Sequence, residues 1–99
     1  MITFVRNFEV KTGKMPEALA LAQEAMGHVK DAYGVEVDVY TPIGGNPLRI
    51  TLAAEYDDMG AVEDIMEKLA EDASWTKTMQ SAADLVVEDS VVDEFWKKT

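Results

Sequence analysis

Arg6 stands between Phe4 and Phe8 at alternating positions of an apolar run, ITFVRNFEV, near the start of this 99-residue chain. If the run is a strand, the three side chains share one face, because successive residues point to opposite sides. A guanidinium is a permanent cation, and one withdrawn from water needs a carboxylate or carbonyl partner. Arg6 is thus either an anchor for an anionic or carbonyl-bearing ligand or half of an ion pair, within the chain or across a dimer. Glu36, Asp38 and Glu94 are the candidate partners. The ion pair is the preferred reading, since structural pairs perturb groups as sites do. The lone histidine, His28, is the one side chain whose ordinary titration lies near neutrality. It falls four residues after Glu24, beside an apolar helical stripe, which suits a surface histidine with a helical carboxylate neighbour better than a catalyst.

Tyr40, Trp75 and Trp96 combine apolar bodies with polar tips, as a pocket for a planar ligand requires. Trp96, close to the C-terminal end, reads as packing in a dimer core, and Trp75, at a bend between helical segments, as a pocket wall. A dry cavity lined by such residues would also need polar groups to hold an enolate or phenolate. Arg6, Asn7, Tyr40 and Arg49 are suitable groups, although their spacing does not demand that role. The candidate ligand pocket is therefore Phe4, Arg6, Phe8, Asp38, Tyr40, Arg49 and Trp75, with no catalytic pair assigned and no cofactor or metal expected.

The remaining features have structural readings. Glu63, Asp64, Glu67, Glu71 and Asp72 lie mostly opposite an apolar stripe and form a solvated face with Lys68 and Lys77. Glu88-Asp89 and Asp93-Glu94 lack a metal-loop pattern, and the pair Gly44-Gly45 is not followed by the Lys-Ser/Thr helix of a phosphate loop. Six methionines sit largely at core positions, where they fill gaps. With no cysteine and one histidine, thiolate zinc, disulfide and multi-histidine sites within one chain are excluded. A net charge of −10 repels phosphate backbones and anionic lipid, so nucleic-acid and membrane-surface partners are not expected. That acidity also suits a high-salt proteome. Without a long apolar stretch or a leader-like start, the expectation is a cytoplasmic protein.

The elements that must position these residues follow from periodicity. Residues 2–10 form a first strand, rich in β-branched and aromatic types. Met15, Leu19, Ala22, Met26, Val29 and Tyr33 recur at spacings of four and three, giving an amphipathic helix that begins near Pro16 and ends at Gly34. Val35, Val37 and Val39 alternate with Glu36, Asp38 and Tyr40. Leu48, Ile50, Leu52 and Ala54 alternate with Arg49, Thr51, Ala53 and Glu55, and the Pro- and Gly-rich loop between the two runs makes a β-hairpin. Asp57 or Asp58 caps a second helix striped by Val62, Ile65, Met66, Leu69 and Ala73. A short further helix around Trp75 to Leu85 and a closing strand at 91–96 complete a single domain over residues 1–99.

The order β-α-β-β-α-β, with an extra helix before the last strand, is the ferredoxin-like α+β plan: a four-stranded antiparallel sheet with its two main helices on one face. The other face would expose some combination of Phe4, Phe8, Tyr40, Val92 and Trp96, and such a patch marks an interface. The segments MITFVRNFEVKTGK, GVEVDVYTP, Asp72 to Trp75 and SVVDEFWKK resemble the dimeric α/β-barrel superfamily, particularly its NIPSNAP-like and antibiotic-biosynthesis-monooxygenase-like members. The resemblance implies a homodimer whose two sheets pack into a barrel, with a pocket between sheet and helices or inside the barrel. The haem-degrading relatives use an axial histidine in the later helical part of the chain, and this sequence has none between Met59 and Leu85. Two functions are consistent with these residues. The preferred one is a noncatalytic dimeric protein, accessory or binding a small aromatic or anionic ligand; the alternative is a monooxygenase-like or isomerase-like enzyme acting on an aromatic or carbonyl-bearing molecule.

Overall fold

In the computed structural model, which describes residues 1–99, the elements run β1 (Ile2–Glu9), α1 (Met15–Tyr33), β2 (Val37–Tyr40), β3 (Arg49–Tyr56), α2 (Met59–Ala70), α3 (Ala73–Ala82) and β4 (Val92–Lys97). The sheet order is β2-β3-β1-β4 with every pairing antiparallel, the ferredoxin-like arrangement. Pro16 lies in the first turn of α1, where a missing N–H costs no helical bond, and Gly34 ends the helix in the left-handed conformation at φ 71°. Asp58, one of the two expected caps, accepts from the Ala61 amide at 2.9 Å to start α2. No helix is long and apolar enough to cross a membrane.

Register decides which face each side chain occupies. In β3, Ile50, Leu52 and Ala54 are buried beneath the helices, and β1 sets Phe8, Arg6 and Phe4 directly opposite them. Phe4 and Phe8 therefore belong to the helix-covered face, not to the open one where the sequence placed them. Ile2, Phe4, Arg6 and Phe8 share one side as expected, and that side is the covered one, where Val37 and Val39 join them from β2. The open face carries Val5, Asn7, Tyr40, Thr51, Ala53, Val92 and Trp96, across which the Thr51 hydroxyl donates to Asn7 Oδ1 at 2.6 Å.

The core is small. Val10, Ala18, Ala25, Met26, Ile50 and Leu52 form one buried cluster, with Phe8, Val39 and Trp75 packed against it. Ile50 is wholly inaccessible. Trimming it to valine is expected to cost about 1 kcal/mol, the usual loss for one buried methylene in a site that relaxes only partly. Urea unfolding with an unchanged m-value measures this.

Between α3 and β4 the chain is held against the end of β1. Val10 and Val86 form an isolated bridge, Lys11 N–H donates to the Leu85 carbonyl at 2.9 Å, and Val87 N–H donates to the Glu9 carbonyl at 2.8 Å. Ser90 adds a side-chain link, its hydroxyl oxygen accepting from the Glu9 amide at 3.0 Å.

Candidate functional site

A cavity of about 730 Å³ opens between the covered face of the sheet and the helices. Arg6, Phe8 and Leu52 supply its floor, Ala22 and Met26 a wall from α1, and Trp75 and Met79 a wall from α3. Apolar side chains make up 15 of its 19 lining residues. The charged ones other than Arg6 are Lys11, Glu88 and Asp89, all three exposed and so confined to the mouth.

Of the seven pocket candidates, this cavity gathers Arg6, Phe8 and Trp75. Phe4 lies next to them, its ring 5.6 Å from the guanidinium carbon of Arg6 and 5.2 Å from the ring of Phe95. Asp38, Tyr40 and Arg49 are separated from these residues by the sheet itself. Asp38 and Tyr40 border a smaller hollow on the open face, of about 450 Å³, while Arg49 sits at the other end of β3 opposite Glu9. A single site containing both Arg6 and Tyr40 is therefore ruled out within one chain, because residues of opposite strand parity cannot share a face.

Arg6 makes an ion pair, but with a partner the sequence reading missed. Its Nε donates to Asp93 Oδ1 at 2.7 Å and its Nη2 to Oδ2 at 2.9 Å, a side-on bidentate pair across β1 and β4. Glu94, one of the expected partners, is the next residue along β4 and points to the open face, while Glu36 pairs with Lys30 at 3.1 Å. The charge of Arg6 also reaches Tyr56: burial pushes that phenol above its ordinary pKa, and the guanidinium partly opposes the shift.

A second polar cluster lies where α1 meets the junction of α2 and α3. The Asp72 carboxylate receives the Tyr33 hydroxyl at 2.6 Å and meets His28 Nε2 at 2.7 Å, both on Oδ2, and it caps α3 by accepting from the Trp75 amide at 3.1 Å on Oδ1. The Tyr33 hydrogen bond, then those from His28 and Trp75, holds the Asp72 carboxyl far below the usual carboxylate range. The same bond from Tyr33 raises the phenol's pKa. His28 is thus tied to Asp72 from a different helix, not to Glu24 on its own. The solvated helix face expected for Asp72 is thereby corrected: it caps α3, and the signal for this is the break in helical rhythm there, with Asp preceding Ala73-Ser74-Trp75 as a helix start requires.

The family model described as NIPSNAP matches residues 3–96. The chain belongs to the NIPSNAP family. Among solved structures, a NIPSNAP domain protein of uncharacterised function from Burkholderia xenovorans superposes with a TM-score of 0.86 at 20% identity, covering 100% of this chain and 95% of its own. A NIPSNAP family protein from Agrobacterium tumefaciens gives 0.85 at 21% identity, with coverages of 99% and 85%. A protein from Nitrosomonas europaea proposed to be an antibiotic biosynthesis monooxygenase gives 0.76 at 15% identity, with 99% and 98%. At these identities the likeness is one of fold, and the NIPSNAP and monooxygenase-like resemblances read from the sequence are both present in it. No curated protein matches the chain.

Proposed function

We propose that this NIPSNAP chain is a noncatalytic, homodimeric protein that binds a small, largely apolar ligand in the cavity between its sheet and helices. The observation that carries this reading is the cavity itself: about 730 Å³, mostly apolar, with one cation in its floor. Ligand pockets typically have volumes of roughly 300–1,000 Å³ and a few placed polar groups among apolar walls. A noncatalytic role is supported by where the titratable groups lie. His28 is bound to Asp72 outside the cavity lining, and the carboxylates Glu88 and Asp89 are at the mouth.

Dimerisation is supported by the open sheet face. Tyr40, Val92 and Trp96 are 52%, 54% and 59% exposed on one surface. The chain's accessible surface is 6612 Å², whereas a monomer of this mass is expected to expose about 5,600 Å². The excess, roughly 1,000 Å², is of the size that one partner buries in a standard interface.

Titration with the neutral dye Nile red tests the binding reading, because its emission rises in apolar surroundings. One dye per chain is expected to bind, and Ala82→Phe, which places a ring in the cavity wall from α3, is expected to weaken binding at least tenfold while leaving the circular dichroism unchanged. Equal binding by both proteins would place the dye elsewhere and remove the cavity as a ligand site.

A further inference from the structure

We infer that Asp93 makes the cavity selective for neutral ligands bearing a carbonyl or similar acceptor, and against carboxylates, by neutralising Arg6 while leaving most of its donors free. The inference rests on the binding reading above and narrows its ligand class.

A guanidinium carries five N–H donors. Asp93 takes two of them, one on Nε and one on Nη2, so three remain. The side-on pair and the Phe4 ring 5.6 Å away hold the guanidinium in one orientation, and Arg6 lines the cavity. What is presented there is a preorganised hydrogen-bond donor with little net charge.

That distinction decides the ligand class. A carboxylate entering an apolar cavity loses its hydration and needs a net positive charge to offset the loss. Arg6 and Lys11 are balanced among the lining residues by Glu88 and Asp89, and Asp93 adds a further negative charge beside Arg6. The chain as a whole carries −10. A neutral carbonyl loses far less hydration and needs only donors, which the floor supplies. Asp93 occupies one of the two edges through which an unpaired Arg6 would recognise a carboxylate bidentately, and its charge opposes a second carboxylate at the other.

Two probes with one ring system separate the alternatives: the neutral ketone 2-acetonaphthone and the anion 2-naphthoate, titrated calorimetrically at pH 7. The ketone is expected to bind at least tenfold more tightly than the anion. Asp93→Asn keeps the side chain's shape and removes its charge, and it is expected to raise naphthoate affinity enough to reduce that preference at least tenfold. A purely structural role for Asp93 would weaken both probes together and leave their ratio unmoved. The paired variant Arg6→Met/Asp93→Met removes the anchor without stranding a charge, and it is expected to lose at least tenfold in ketone affinity. Naphthoate binding as tightly as the ketone to the native protein, or an unchanged ratio in Asp93→Asn, would overturn the inference while the cavity remains a binding site. Failure of both probes and of Nile red to bind would overturn the binding reading and this inference with it.

Discussion

Replacing Trp96 with glutamate is expected to weaken self-association of the chain roughly a thousandfold, equivalent to about 4 kcal/mol. Trp96 is 59% exposed on the open sheet face, on the same surface as Val92 and Tyr40, with Thr51 and Ala53 completing the strand surfaces between them. A tryptophan buried in an interface is the kind of residue that carries most of the binding energy, and a carboxylate in its place would be buried without a partner. Light scattering over a wide dilution range reads the result. The native protein should stay dimeric to low micromolar concentration, and Trp96→Glu should be monomeric throughout. Because each chain carries −10, the native dimer should also tighten as salt screens the repulsion. A native monomer at every dilution, or an unaltered dimer in Trp96→Glu, would show that the open face is not the interface.

Asp72→Ala is expected to have the largest effect on stability among the polar substitutions, lowering Tm by about 5–10 °C, because one carboxylate caps α3 and ties it to α1. Its pH signature follows from the depressed pKa. In the unfolded chain the carboxyl titrates near its ordinary value of about 4. In the folded chain it titrates far lower. Its stabilisation is therefore fully present above pH ~4 and is lost as pH falls from there through the folded value. Tm measured from pH 7 downward should fall more steeply below pH ~4 in the native protein than in Asp72→Ala, and the two curves should converge in strong acid. Tyr33 behaves in the opposite sense: its pKa is raised by the same hydrogen bond, so its contribution holds below pH ~10 and is lost as pH rises through the higher folded value. Parallel curves for the two proteins across the acid range would refute this role for Asp72.

The hairpin was legible because its pattern is unambiguous. Ile50, Leu52 and Ala54 are buried on one side of β3 while their neighbours alternate to the other, so period and register agree. β1 lacked that clarity. Apolar residues fall on both of its faces, with Ile2, Phe4 and Phe8 on one and Val5 on the other, and every one of its residues is half-buried. Alternation alone could group Phe4, Arg6 and Phe8 together but could not say which group the helices would cover. The partner of Arg6 was missed by a single residue for a related reason. Asp93 and Glu94 are adjacent carboxylates on opposite faces of β4, and the register that selects Asp93 is set by pairing with β1, not by any local motif. Asp72 and Tyr33 are 39 residues apart and meet only because α1 and the α2–α3 junction pack together.

The break between α2 and α3 also bears on how the fold can vary. α2 contributes buried Val62 and Ile65, whereas α3 contributes no buried side chain and spends Trp75, Met79 and Ala82 on the cavity wall. Mutations at Met79 and Ala82 thus reshape the chamber from a helix without buried side chains, whereas the walls from α1 and β3 share Ala18, Ala25, Met26 and Leu52 with the buried core. Such a division lets a lineage exchange one wall for another over many generations without passing through unfolded intermediates, so that a single scaffold can diversify in what it holds while its frame is inherited unchanged.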